Sequence, residues 1–200
     1  TQLIPKVIIQ GTDAVIEGVM VEAGADGRVR YDYNGVVEQI VHHPGRNKLI
    51  CGIATGEVLS GRKVLILCKR RAHCELLRDL LHAFPNVIYV DAKAKDCDET
   101  LDKLSCGDID FNILIGTVSL IGTGTDIPSL DTLVFACDMK SDVVLQQGAG
   151  RILRLFEGKE KPIIYDLVDN KNPLLFKHYK ERQAFYDAIG WDVERSMIKR

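Results

Sequence analysis

The sequence lacks most of the features that announce a function at a glance. Its six cysteines, at 51, 68, 74, 97, 106 and 137, form no C-x-x-C pair and no metal-type spacing. That excludes zinc ribbons and disulfide-stapled small folds. Cys68 and Cys137 sit in apolar runs and read as reduced, buried thiols of an intracellular protein. No apolar run approaches the roughly 18 residues of a membrane-spanning helix. No secretory signal is visible at Thr1, so an intracellular protein is expected, not secreted and without a membrane partner. An excess of one charge is missing too. Twenty-six Lys and Arg face 28 Asp and Glu, a net charge of −2. That balance does not mark a nucleic-acid binder, nor does it exclude one that touches phosphates with a single face. There is no internal repeat and no low-complexity stretch. A G-x-G-x-x-G turn after the first buried strand is also absent. Leu67-Cys68-Lys69-Arg70 stands there instead, which argues against a dinucleotide site.

What is present is an ordinary globular composition, 46% hydrophobic and 27% charged over 200 residues. That suits one domain, or one domain with an extension, and a sizeable core. Short apolar runs read as buried strands at Lys63–Cys68, Val87–Val90, Phe111–Gly116, Thr132–Ala136 and Lys161–Leu167. Pro162 favours an edge or a strand-start position for the last of these. Helical stripes lie between them, at Arg71–Phe84, from about 97 to Leu104 and at Ser141–Leu155. Asp96 with Glu99 suggests a capping box for the second. Strands alternating with amphipathic helices predict an α/β fold, a parallel sheet wrapped on both faces. In such sheets ligands meet the loops beyond the strands' carboxyl ends, here after Cys68, Val90, Gly116 and Ala136.

The two ends read differently. Residues 1–34 are expected as an extended or hairpin segment, with Val19–Ala23 and Arg28–Tyr33 flanking an Asp-Gly turn. Two helices follow, Asn34–His43 and Pro44–Leu59. Residues 35–170 form the expected main domain. Residues 171–200 form a helical extension, with an amphipathic helix over 174–189, a stop at Gly190 and Trp191 as a packing anchor.

Two motifs carry chemistry. The first is Gln147-Gly148-Ala149-Gly150-Arg151-Ile152-Leu153-Arg154. On one helix Gln147, Gly150, Arg151 and Arg154 share a face, so two guanidinium groups would point the same way. Planar, permanently charged guanidiniums suit phosphate oxygens. The plain alternative is a surface helix with two solvated arginines. The second motif is the stretch from Ile113 to Val134, in which a strand runs into a loop with Gly116, Gly122, Gly124 and several hydroxyls, then Asp126-Ile127-Pro128 and another strand. Glycines there let backbone N–H groups approach a phosphate. The alternative is a tight connection in which the glycines serve turns only.

Together the two segments resemble the second motor domain of superfamily-2 helicases and translocases. The Gly-Arg-Ile-Leu-Arg variant looks most like the branch of the repair and transcription helicase XPB, phage recombination helicases and DNA-virus relatives. Pro162–Asp169 and the aromatic-rich helix after it point the same way. The resemblance covers residues from about 36 to 190. It implies a RecA-like fold and a role in an ATP-dependent DNA, or RNA, helicase. Arg154 and then Arg151 match the arginines that reach the nucleotide's terminal phosphates. Gln147 matches the glutamine near the γ-phosphate and the attacking water, with Gln146 beside it. Gly124 and Asp126 match positions that approach the phosphate and ribose. Thr117, Lys69 and Arg70 match contacts to the nucleic-acid backbone, for which a solvated helix start is the alternative at Lys69-Arg70-Arg71. Asp138 and Lys140 lie on the same edge.

The missing motifs complete that picture. No G-x-x-x-x-G-K-[ST] phosphate loop occurs, and Gly158-Lys159 has neither its spacing nor its hydroxyl residue. A DExH-type acidic pair for Mg²⁺ is absent. The family keeps both in its first motor domain. The resemblance therefore implies half of a two-domain motor, inactive alone, with ATP and Mg held mainly by the N-terminal helicase domain. No metal site is expected within the chain. The nucleic-acid partner, DNA by expectation, would be gripped without sequence specificity. Two other readings stand beside it: a non-catalytic binding or scaffold module with this fold, and half of a two-domain glycosyltransferase.

Overall fold

The structure is a computed structural model that describes residues 3–18, 20–21, 30–123, 126–140, 142–154 and 159–196. In chain order it runs β1 (Lys6–Gly11), β2 (Met20–Val21), β3 (Arg30–Tyr31), α1 (Tyr33–His42), α2 (Pro44–Leu59), β4 (Val64–Cys68), α3 (Arg71–Leu80), β5 (Val87–Val90) and α4 (Cys97–Cys106). Then come β6 (Ile113–Thr117), a 3₁₀ turn (Val118–Thr123), β7 (Thr132–Phe135), α5 (Asp142–Ile152), β8 (Ile163–Val168), α6 (Pro173–Ala188) and β9 (Asp192–Arg195).

The main sheet has the order β5-β6-β4-β7-β8-β1-β9. Every pairing in it is parallel. All five side chains of β4, Val-Leu-Ile-Leu-Cys, are buried. Burial on both faces is what a central parallel strand requires, and it explains the unbroken aliphatic run. One face packs Val64, Ile66, Ile113 and Ile115 against Ile50 and Ala54 of α2 and Cys74 and Leu77 of α3. The other packs Leu65, Leu67, Leu114, Leu133 and Phe135 against α4, α5 and α6, through residues such as Leu101, Ile152 and Tyr186. This is the RecA-like parallel sheet covered on both faces.

Local chemistry sets the helix ends. Pro44 opens α2, and His43 Nδ1 accepts from the Arg46 backbone N–H. Asn172 caps α6 by accepting from the Leu174 and Leu175 N–H groups, just ahead of Pro173. Gly107, at φ +82°, ends α4 in the left-handed region that favours glycine. The expected capping box at Asp96 does not form. Asp96 lies at ψ 9° and its side chain makes no cap bond, because its backbone already turns helically where a cap needs extended geometry.

Other differences come from long-range pairing. Lys6–Gly11 is a strand of the main sheet, between β8 and β9, rather than a separate extended segment. Its Val7 and Ile9 are fully buried. The hairpin does form, Met20 opposite Tyr31 and Val21 opposite Arg30, with its turn outside the described residues. Pro162 precedes β8, which is an interior strand, so its missing N–H falls before the ladder, while its carbonyl accepts from Lys6 N. Trp191 stacks on Tyr186 as an anchor, and the chain continues into the edge strand β9. Helix α3 stops at Leu80, four residues short of Phe84, with Leu81 at φ −94° and ψ 7° as its C-cap.

Candidate functional site

The candidates fall into two groups. The first lies where β4, β6 and β7 end. Cys68 is in register with Thr117, so Lys69 and Thr117 leave the sheet side by side. The Thr117 hydroxyl is nearly buried and shares a 2.6 Å hydrogen bond with Ser119 Oγ. Gly116 just before it is not an open approach for a ligand. A Cβ there would lie 2.5 Å from Leu120 Cδ2, so this glycine serves close packing of the 3₁₀ turn. Lys69 Nζ donates to Tyr33 Oη at 2.9 Å. Arg70 donates to Asn34 Oδ1 at 2.8 Å. Both cations therefore rest on the first turn of α1, a contact the sequence did not suggest. Lys140 is exposed.

Asp138, just past β7, is buried and sits in a polar network. It accepts from Tyr33 Oη, His178 Nδ1 and Arg182 Nη1 at 3.0, 2.6 and 3.1 Å. Arg182 also binds both oxygens of Asp166 through Nε, at 3.1 and 2.9 Å, and Tyr186 Oη donates to Asp166 at 3.1 Å. Burial opposes ionisation of Asp138, but the His178 bond and Arg182 outweigh it and hold its pKa below the ordinary value. Burial likewise opposes the Arg182 charge, and Asp166 outweighs it and raises that pKa. Sequence reading named Asp138 but not its partners. The available signal was the spacing His178, Arg182, Tyr186, polar groups every four residues on one face of α6.

The second group gathers on Asp126. Arg154 Nη1 donates to Asp126 Oδ2 at 2.7 Å. Arg151 is half-buried over an apolar floor that includes Leu67, Leu114 and Leu130. Burial lowers its pKa, with the Asp126 charge raising it and the Arg154 charge lowering it. Both arginines thus feel one carboxylate. The Asp126 backbone is fastened in turn, its carbonyl accepting from Ser105 Oγ of α4. Gln147 is exposed one helical turn before Arg151 on α5. Gly124 lies outside the described residues.

One expectation needs correction here. Gln147, Gly150 and Arg151 are on α5, but Arg154 is not on that helical stripe. The helix ends at Ile152. The Leu153 carbonyl is taken by Leu3 N at 3.0 Å, which draws the chain out of the helix into contact with the N-terminal segment. Arg154 is delivered by the extended chain beyond it, and Lys159 Nζ holds its carbonyl at 3.0 Å. Among the described residues no group of three or more His, Cys, Asp or Glu could hold a metal ion, and no helix is long and apolar enough to cross a membrane.

Comparison with known proteins places this geometry. The family described as helicase conserved C-terminal domain matches residues 45–156. Putative helicase 161L of Invertebrate iridescent virus 6 is 33% identical over 185 residues, covering 87% of this chain and 40% of the relative. The crystal structure of T4 UvsW superposes with a TM-score of 0.70 at 18% identity, over 99% of this chain and 42% of that one. Dbp5 of S. cerevisiae bound to RNA and ADP BeF3 gives 0.59 at 13% identity, over 96% and 41%. The last two are likenesses of fold. The chain spans about two fifths of the length of these proteins. The matched span contains Lys69, Arg70, Thr117, Asp126, Asp138, Gln147, Arg151 and Arg154, and by that match the chain belongs to the helicase conserved C-terminal domain family.

Proposed function

We propose that this chain is the second motor domain of an ATP-dependent helicase or translocase acting on DNA. The observation that carries the reading is the gathering of Arg151 and Arg154 on Asp126, with Gln147 one turn earlier on α5. Exposed or half-buried guanidiniums beside one carboxylate can exchange it for a phosphate, which likewise offers a pair of anionic oxygens to the guanidinium fork. In this reading ATP and Mg²⁺ are held mainly by an N-terminal motor domain. The metal supplies charge neutralisation at the phosphate oxygens.

The chain's own residues then act on closure. Arg154 leaves Asp126 and meets the charge that develops on the transferring phosphoryl group, with Arg151 beside it. Gln147 orients the attacking water. Gly124 and Asp126 meet the phosphate and ribose, and the exchange of partners at Asp126 links hydrolysis to opening and closing of the two domains. Lys69, Arg70 and Thr117 grip the backbone of the nucleic acid without reading its sequence. A non-catalytic scaffold would leave the arginine and glutamine constellation without a role.

The grip is testable directly. Replacing Lys69 and Arg70 with alanine is expected to flatten the plot of log binding constant against log salt by about 0.7 per lost phosphate contact on a single strand. Equilibrium titration of a labelled single strand at several salt concentrations measures it. An unchanged slope would return both residues to solvated surface.

A further inference from the structure

We infer that Tyr33 is a positioning residue for the phosphate contact of Lys69. The inference rests on the proposed nucleic-acid role of Lys69 and adds what holds that side chain in place. A lysine at the end of a strand has four rotatable carbons, and ordering them for one contact costs conformational entropy. Here the ordering is done in advance. Lys69 Nζ lies 4.2 Å from the centroid of the Tyr33 ring and 2.9 Å from its hydroxyl oxygen. An ammonium has three N–H donors, so one on the hydroxyl leaves two for a phosphate.

Tyr33 can serve because it is itself fixed on every side. It is the first residue of α1, whose turn is capped by Asp32 accepting from Gly35 N at 3.1 Å. Its ring meets the His178 ring edge-on, centroids 6.0 Å apart. Its hydroxyl hydrogen is committed to Asp138 Oδ2, which turns an oxygen lone pair toward Lys69. Asp138 is held in turn by His178 and Arg182 of α6. The chain Lys69–Tyr33–Asp138–Arg182–Asp166 thus runs from the exposed edge to the core. It contains two carboxylates and one arginine, so a further cation at its outer end is favourable.

A double-mutant cycle on the full chain, read by anisotropy of a labelled single-stranded DNA twenty-mer, tests this. Tyr33→Phe keeps the ring but removes the acceptor, and is expected to weaken binding about threefold to tenfold, the net worth of one ordinary hydrogen bond, since the ring still holds the ammonium over its face. Its salt slope stays at the wild-type value, because Lys69 still neutralises a phosphate. Lys69→Met flattens the slope by about 0.7. The double variant binds no more weakly than Lys69→Met alone. Effects of the two changes that multiply, or wild-type affinity for Tyr33→Phe, overturn the role of Tyr33 while leaving Lys69 in place. A Lys69→Met variant with wild-type affinity and slope instead removes Lys69 from the nucleic-acid site, and this inference with it. Should Tyr33→Phe lose its fold, the wild-type chain supplies the readout. The ring resonances of Tyr33 should shift on oligonucleotide binding, and unshifted resonances at saturation count against the proposal.

Discussion

Replacing Arg154 with alanine is expected to lower ATP turnover of the proposed two-domain motor by ~10³-fold or more, the range over which arginine fingers act in other phosphoryl-transfer enzymes. The expectation is clean because little else depends on this side chain. It is 62% exposed and bound to one carboxylate, Asp126. An exposed pair of that kind contributes at most about 1 kcal/mol to stability. The variant should therefore fold, melt near the wild-type temperature and bind single-stranded DNA without nucleotide as the wild type does. Steady-state turnover with saturating DNA is the measurement. Wild-type turnover in Arg154→Ala would remove Arg154 from the catalytic site and leave its pairing with Asp126 a surface salt bridge.

The second large effect is on stability. Arg182→Ala is expected to destabilise the fold by about 3–5 kcal/mol, the usual cost of breaking a buried ion pair by removing one partner. Arg182 is 3% exposed and its two carboxylate partners, Asp138 and Asp166, are equally buried. Without the guanidinium, two buried carboxylates on the sheet side lose the cation of α6 that they share. In a domain of this size roughly 6–20 °C of melting temperature would be lost. Arg154→Ala is the internal control, since it removes the same side chain from an exposed site. A melting temperature for Arg182→Ala within two or three degrees of wild type would show the network to be wetter than the burial indicates. The function of the network would suffer with it, because Asp138 holds Tyr33 and Tyr33 holds Lys69.

The two substitutions also mark what the amino-acid sequence shows and what it hides. Strands such as Val64–Cys68 were legible because a parallel strand buried on both faces must be aliphatic throughout. The start of α2 was legible because Pro44 follows the turn directly. Gln147, Arg151 and Arg154 were legible as a spacing, but their arrangement was not. Arg154 leaves the helix because Leu3, about 150 residues earlier, takes the Leu153 carbonyl, and no local pattern records that bond. The strand Lys6–Gly11 was missed as part of the sheet for the same reason. Its partners are Ile163–Val168 and Asp192–Arg195, and the latter has one apolar side chain in four residues. Buried charges were the least visible. Arg46 is 1% exposed and bonded to Asp169 and the Ala136 carbonyl, yet in the sequence it is one more arginine on a helix. A charged residue reads as surface until its partner from a distant element is known.

The central claim is that this chain supplies arginines to a nucleotide another domain must bring. ATP hydrolysis by the purified chain alone, with saturating single-stranded DNA, tests it most directly. The account predicts turnover indistinguishable from the no-protein control, since the chain has no phosphate-cradling loop and no acidic pair for Mg²⁺. Robust, DNA-stimulated turnover by the chain on its own would contradict it.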